Sequence, residues 1–152
     1  MIKVLFICHG NICRSPMAEF LFKDMVKKLG VSQDFEIASA ATSTEELGNP
    51  VHYGTRKKLA EYGISVAGKT ARQMTSADYH HYDYLIAMDR NNLRNMKRFV
   101  GDDPENKVSL LLDYAGRKGE SIADPWYTDD FDQTYSDVHD GLTGLLKHLG
   151  YR

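Results

Sequence analysis

Apolar positions along the chain fall into short blocks that alternate between two spacings. Residues 2 to 7 are almost continuously apolar, which predicts a strand covered on both faces. From 16 to 29, Met17, Phe20, Leu21, Met25, Val26 and Leu29 recur at helical spacing, so this strand leads into a helix. Phe35 to Ser39 reads as a second short strand, and Val51 to Tyr62 as a helix that follows Pro50 and stops before Gly63. Asp83 to Met88 predicts a third buried strand, Asn91 to Phe99 a helix, and Val108 to Leu112 a fourth strand. Phe131 to Leu149 predicts a closing helix ended by Gly150. Strands alternating with helices imply an α/β fold, a parallel sheet with helices on both faces. Such sheets carry their sites beyond the carboxyl ends of the strands, which directs attention to the loops after the first three. No Pro-, Gly- or Ser-rich linker interrupts the series and no repeat appears, so residues 1–152 are expected to form a single domain.

Composition narrows the function classes. The chain has 19 Lys and Arg against 21 Asp and Glu, a net charge of −2, without the basic excess of a dedicated nucleic-acid binder. No apolar run approaches the roughly 18 residues of a membrane helix, and the first run is too short for a secretory signal. Neither nucleic acid nor membrane is expected as a partner. Two cysteines, Cys8 and Cys13, do not make a disulfide framework, and their spacing is not that of a redox pair, so a cytoplasmic location is expected. The six histidines (9, 52, 80, 81, 139 and 148) have no metal-ligand spacing, and neither metal nor cofactor is expected. His80 and His81 read as a solvated pair near a helix end. Charge is uneven: residues 124 to 140 hold six aspartates and no Lys or Arg, which fits a solvated helix start.

The most informative segment lies between the first strand and the first helix: Cys8, His9, Gly10, Asn11, Ile12, Cys13, Arg14, Ser15, Pro16. Gly10 and Asn11 tolerate left-handed backbone angles, which lets successive N–H groups curl toward one point and bind an anion there. Ser15 is expected as N-cap and Pro16 as the first helical residue, so the loop would end at a helix N-terminus that adds its own attraction for anions. Arg14 supplies a planar fork for two phosphate-like oxygens. An arginine at a helix start is unfavourable unless an anion accompanies it. A thiol at Cys8 facing this nest is expected to serve as the nucleophile. Cys-x5-Arg thus puts a sulfur nucleophile beneath a bound tetrahedral oxyanion, and the implied reaction is phosphoryl transfer to sulfur. Releasing the leaving oxygen needs a proton donor, and freeing phosphate from sulfur needs a base. Asp124 is the best candidate: it follows Ile122 and Ala123 and precedes Pro125, which stiffens the loop, while Trp126 and Tyr127 could wall a cleft for a flat aromatic group.

With these residues in view, the chain resembles the low-molecular-weight protein tyrosine phosphatases along nearly its whole length. The resemblance rests on Val4 through Glu19, Ser39-Ala40, Gly48-Asn49-Pro50, Ala71-Arg72-Gln73, Tyr82-Asp83-Tyr84 with Met88-Asp89, and Asp124-Pro125-Trp126-Tyr127. It implies a four-stranded parallel sheet, no cofactor, and hydrolysis of phosphotyrosine in proteins. Carried over, it implies that Cys8 forms a phosphocysteine, Arg14 binds phosphate, and Asp124 protonates the leaving oxygen and then activates water. The resemblance also makes His9, Gly10, Asn11, Ile12, Cys13 and Ser15 part of the substrate loop, with Glu45, Trp126 and Tyr127 at the cleft. It makes Ser39 a supporting residue that, with Asn11 and Ser15, braces the loop. Cys13 matches the family's second loop cysteine, which can close a reversible disulfide with the nucleophile. Tyr127 matches the second of an aromatic pair that is a regulatory phosphorylation site in related proteins.

Two positions depart from the better-known eukaryotic pattern: Glu45 stands where a cleft-wall aromatic is usual, and Lys69 where a buried histidine joins the serine and asparagine network. An acidic wall is expected to disfavour acidic residues flanking the phosphotyrosine, within the limits of solvent screening. Three alternatives share the loop. A protein arginine phosphatase of the same fold carries threonine where Ile12 stands. An arsenate reductase needs further cysteines downstream, and none follows Cys13. A phosphate-binding module without turnover would not require both Cys8 and Asp124.

Overall fold

A computed structural model describes residues 1–151. Four parallel strands carry the chain: β1 (Ile2–Cys8), β2 (Phe35–Ala41), β3 (Tyr84–Ala87) and β4 (Val108–Leu110), in the order β2-β1-β3-β4. The helices are α1 (Arg14–Lys28), α2 (Tyr53–Ala60), α3 (Ser76–His81), α4 (Arg90–Val100), α5 (Pro125–Thr128) and α6 (Phe131–His148). This is the single α/β domain that the alternation predicts.

The two-residue period of β1 explains its unbroken apolar run. Val4, Phe6 and Cys8 face a core shared with Phe22 of α1, Leu59 of α2 and Leu142 of α6. Leu5 and Ile7 face the opposite core, with Tyr79 of α3 and Met96 of α4. Because β1 lies at the centre with β2 on one side and β3 on the other, the strand order reverses beside it, and the loop after β1 opens into the resulting crevice.

The predicted strands and long helices are present, with four differences that have local causes. First, α1 begins at Arg14 with Cys13 at its N-cap, not with Ser15 capping Pro16. The Ser15 hydroxyl is engaged with Cys8 Sγ and Asn11 instead, so the expected cap is replaced by a contact to the thiol. Second, β4 ends at Leu110, two residues early: Leu111–Ala115 form a 3-10 turn, and the Asp113 carboxylate accepts from Leu110 N at 3.1 Å. Leu111 and Leu112 are still fully buried, against α6. Third, α3 is foreseen only through the helix end read at His80 and His81, with no start assigned to it. Its capping box, Thr75 with Asp78, is too short a pattern to stand out from the surrounding polar residues. Fourth, β2 runs two residues beyond the predicted Ser39, bringing Ala41 level with Cys8.

The outer edge of β4 is closed to further strand pairing. Asp103 accepts from Val108 N at 3.0 Å and Asp113 from Leu110 N, so the donors an incoming strand would need are occupied.

Candidate active site

The loop after β1 wraps around one sulfur. Cys8, the last residue of β1, is buried, and its Sγ accepts from the Asn11 backbone N–H at 3.3 Å and lies 3.0 Å from Ser15 Oγ. Asn11 holds the left-handed angle that turns the chain, with φ of 58°. Gly10, for which the same freedom was expected, does not use it. Its surroundings are close instead: a Cβ there would lie 3.3 Å from the Glu46 side chain.

Behind the loop, hydrogen-bond directions follow from what each group can donate. The Glu19 carboxylate lies on the buried face of α1, between Lys23 Nζ at 2.6 Å and Lys69 Nζ at 3.5 Å, and accepts from the Ser39 hydroxyl. With its proton given to Glu19, Ser39 Oγ accepts from Asn11 Nδ2 at 2.9 Å. The same amide donates to Ser15 Oγ at 2.8 Å, while Asn11 Oδ1 accepts from Arg72 N. The Ser15 hydroxyl proton is thereby left to point at Cys8 Sγ. Lys69 also donates to the Ser39 carbonyl at 3.0 Å. Burial pushes its ammonium below the usual lysine range, and Glu19 opposes that shift.

Arg14 is 2% exposed, and both of its terminal nitrogens are tethered. Its Nη1 donates to Asp89 at 2.7 Å and to the Ile122 carbonyl at 2.8 Å, and its Nη2 reaches Asp124 Oδ2 at 3.4 Å. Its Nε, also buried, has no partner. Burial works against the guanidinium charge, but Cys8, Asp89 and Asp124 outweigh it and raise the group above its ordinary range. An unpaired buried N–H on a fixed cation is what a site awaiting an oxyanion leaves open. Cys13 differs from Cys8: burial, then the charges of Cys8 and Asp124, push its thiol up to about 12, so it is protonated at neutral pH.

Above the sulfur is a cavity of about 200 Å³. Cys8, His9, Gly10, Ile12, Cys13 and Arg14 form its floor and loop side, Glu45 one wall, and Asp124, Trp126 and Tyr127 the other. Asn11, Ser15 and Ser39 do not line it. They are fully buried and act on the sulfur from behind, so the expectation that Asn11 and Ser15 contact substrate holds at most for backbone. Asp124 caps α5, accepting from Trp126 N at 3.1 Å, which fixes its carboxylate beside Arg14. His9 Nε2 and Glu45 Oε2 meet at 2.5 Å across the loop mouth.

Four residues at or behind the site carried no role in the sequence reading. Asp89, just past β3, holds Arg14, and Glu46 lines the cavity beside Glu45. Glu19 anchors the buried chain, and His52 stacks on Phe131 at 5.3 Å and meets the Trp126 ring edge at 5.6 Å, supporting the aromatic wall. A carboxylate on the apolar face of α1 and an aspartate in the loop after a central strand were the available signals for two of them. No group of three or more His, Cys, Asp or Glu among the described residues is arranged to hold a metal ion.

A parallel sheet whose first loop sets a thiol, contacted by a backbone amide and a serine hydroxyl, in one cavity with a buried guanidinium and a carboxylate brings together the parts that an enzyme acting on a phosphate ester needs. The profile of the family described as low molecular weight phosphotyrosine protein phosphatase matches residues 3–152. The low molecular weight protein-tyrosine-phosphatase YfkJ of Bacillus subtilis is 39% identical over 150 residues, covering 98% of this chain and 96% of that protein. The YfkJ crystal structure superposes with a TM-score of 0.93 at 38% identity, covering 98% of this chain and 94% of YfkJ. A Drosophila arginine phosphatase superposes with a TM-score of 0.88 at 31% identity, covering 98% of each chain. The chain belongs to the low molecular weight phosphotyrosine protein phosphatase family.

Proposed function

We propose that this protein hydrolyses phosphotyrosine in proteins through a phosphocysteine intermediate. Cys8 Sγ attacks phosphorus, an S–P bond forms, the P–O bond to the tyrosine breaks, and Asp124 delivers its proton to the departing phenoxide. Asp124, now a carboxylate, takes a proton from water as that water attacks phosphorus, and the S–P bond breaks to return the thiolate and release inorganic phosphate. Arg14 and the loop amides hold the equatorial oxygens in both steps. Trp126 and Tyr127 flank the tyrosyl ring. Supporting this most directly is that Cys8, Arg14 and Asp124 line one cavity, with the buried Nε of Arg14 unpaired and Asp124 held 3.4 Å from the same guanidinium. A free nucleophilic thiol fits a reducing compartment, and the cytoplasm is proposed on that ground.

A phosphoarginine substrate is the second reading, favoured by the Drosophila likeness and by the two glutamates at the mouth, which would attract a guanidino group. Ile12, apolar and buried at the loop, favours the aromatic substrate instead. Wild type and Cys8→Ser should be assayed on phosphotyrosine, phosphoarginine and phosphoserine peptides. Fast phosphotyrosine turnover by wild type, absent in Cys8→Ser, is expected. A preference for phosphoarginine would move the assignment to the second reading.

A further inference from the structure

Away from the cavity, α4 and the edge strand β4 enclose an open groove of about 730 Å³. Arg90, Arg94 and Lys97 line it from one helix and Lys118 from the turn after β4, all four exposed, above a floor that includes Leu93 and Val108. None of these four cations enters an ion pair among the described residues. The acid of the groove, Asp113, is engaged with the backbone N–H groups of Leu110 and Gly119. In a chain of net charge −2, this is a concentrated positive surface, four cations against the single carboxylate of Asp113.

The groove is joined to the catalytic cavity through the backbone. Arg90 directly follows Asp89, the partner of Arg14. Its Nε donates to the Gly119 carbonyl at 2.9 Å and its N–H to Ser121 Oγ at 3.3 Å, tying the groove to the loop that runs on to Asp124. The mouth itself carries Glu45 and Glu46, so an acidic stretch beside the phosphotyrosine is repelled there and attracted to the groove. Strand addition is disfavoured, since Asp103 and Asp113 occupy the donors of the β4 edge.

We propose that the groove between α4 and β4 is a docking surface for an acidic segment of the phosphoprotein substrate, separated in sequence from the phosphotyrosine. This rests on the phosphatase reading above and adds to it a second, charge-based recognition site.

The test uses a phosphotyrosine peptide with neutral flanks, bearing or lacking a hexaglutamate tail on Gly-Ser spacers of about 4 to about 12 residues. Wild type is compared with Arg94→Glu/Lys97→Glu/Lys118→Glu, using p-nitrophenyl phosphate as a substrate too small to reach the groove. For wild type at low salt, the tail should lower KM by about tenfold at one of the spacer lengths with kcat unchanged. That gain should vanish in the triple variant and in about 0.5 M salt, while p-nitrophenyl phosphate turnover stays the same in both proteins. Equal KM with and without the tail at every spacer length would overturn the docking surface. So would tighter binding of the groove to single-stranded RNA or anionic vesicles than to the unphosphorylated tail peptide, measured by anisotropy and sedimentation. Absent turnover of every phosphotyrosine substrate, with the tail peptide still bound by wild type and not by the variant, would leave the groove standing and overturn the phosphatase reading.

Discussion

Ser15 shows how one side chain is committed by its neighbours. Its oxygen receives the Asn11 amide, so its proton faces Cys8 Sγ, and Ser15→Ala removes that proton without opening the fold. The variant should lower kcat about tenfold or more while KM changes little, because the loop amides still hold phosphate. An unchanged kcat would sever the link between the buried chain and the sulfur. Asp124→Asn should slow turnover by about 10² to 10⁴, most for substrates with poor leaving groups. An equal loss for good and poor leaving groups would remove the acid role. Cys13 carries a pH prediction. Its thiol is raised in the fold from an ordinary 9.0 to about 12, so the native state favours the protonated form. The stability it contributes is intact below about pH 9 and is lost as pH rises toward 12. Alkaline urea titrations of wild type and Cys13→Ala should converge across that window, and parallel curves would contradict it.

At the scale of elements, periodicity was enough to find the strands and the long helices, because those segments bury a continuous stripe or two faces. It did not find what depends on a neighbour. The start of α1 shifted because the Ser15 hydroxyl is needed at the sulfur, and β4 shortened because Asp113 turns the chain under α6. Two glycines inside α6, Gly141 and Gly144, look like helix weaknesses of about 1 kcal/mol each until their contacts are seen. A Cβ on Gly144 would lie 1.8 Å from the Tyr114 carbonyl oxygen, and one on Gly141 2.4 Å from Leu111 Cγ. α6 therefore lies directly on the turn after β4, and Gly144→Ala should destabilise the protein by at least about 2 kcal/mol, read as a lowered urea midpoint. A midpoint at or above wild type would mean the turn yields freely.

For the whole molecule, the strand order places the loop after β1 where the order of strand addition reverses, and the loop's own residues then supply thiol, amides and guanidinium. That much could be read from one contiguous segment and its position after the first strand. The partners of Asp89, Glu19 and His52 could not, even where the residue itself stood out, because each acts across the chain: Asp89 lies 75 residues from the Arg14 it holds. The same limit hid the separation of charge between an acidic mouth and a basic groove.

The central claim is that Cys8 sulfur receives the phosphoryl group. Asp124→Ala, which lacks the group that activates water, should be mixed with a phosphotyrosine peptide, quenched in acid within a turnover and analysed by mass spectrometry of its fragments. One phosphoryl group on Cys8, absent from Cys8→Ser, is the predicted result. Phosphate released at the same rate with Cys8 never modified would contradict it.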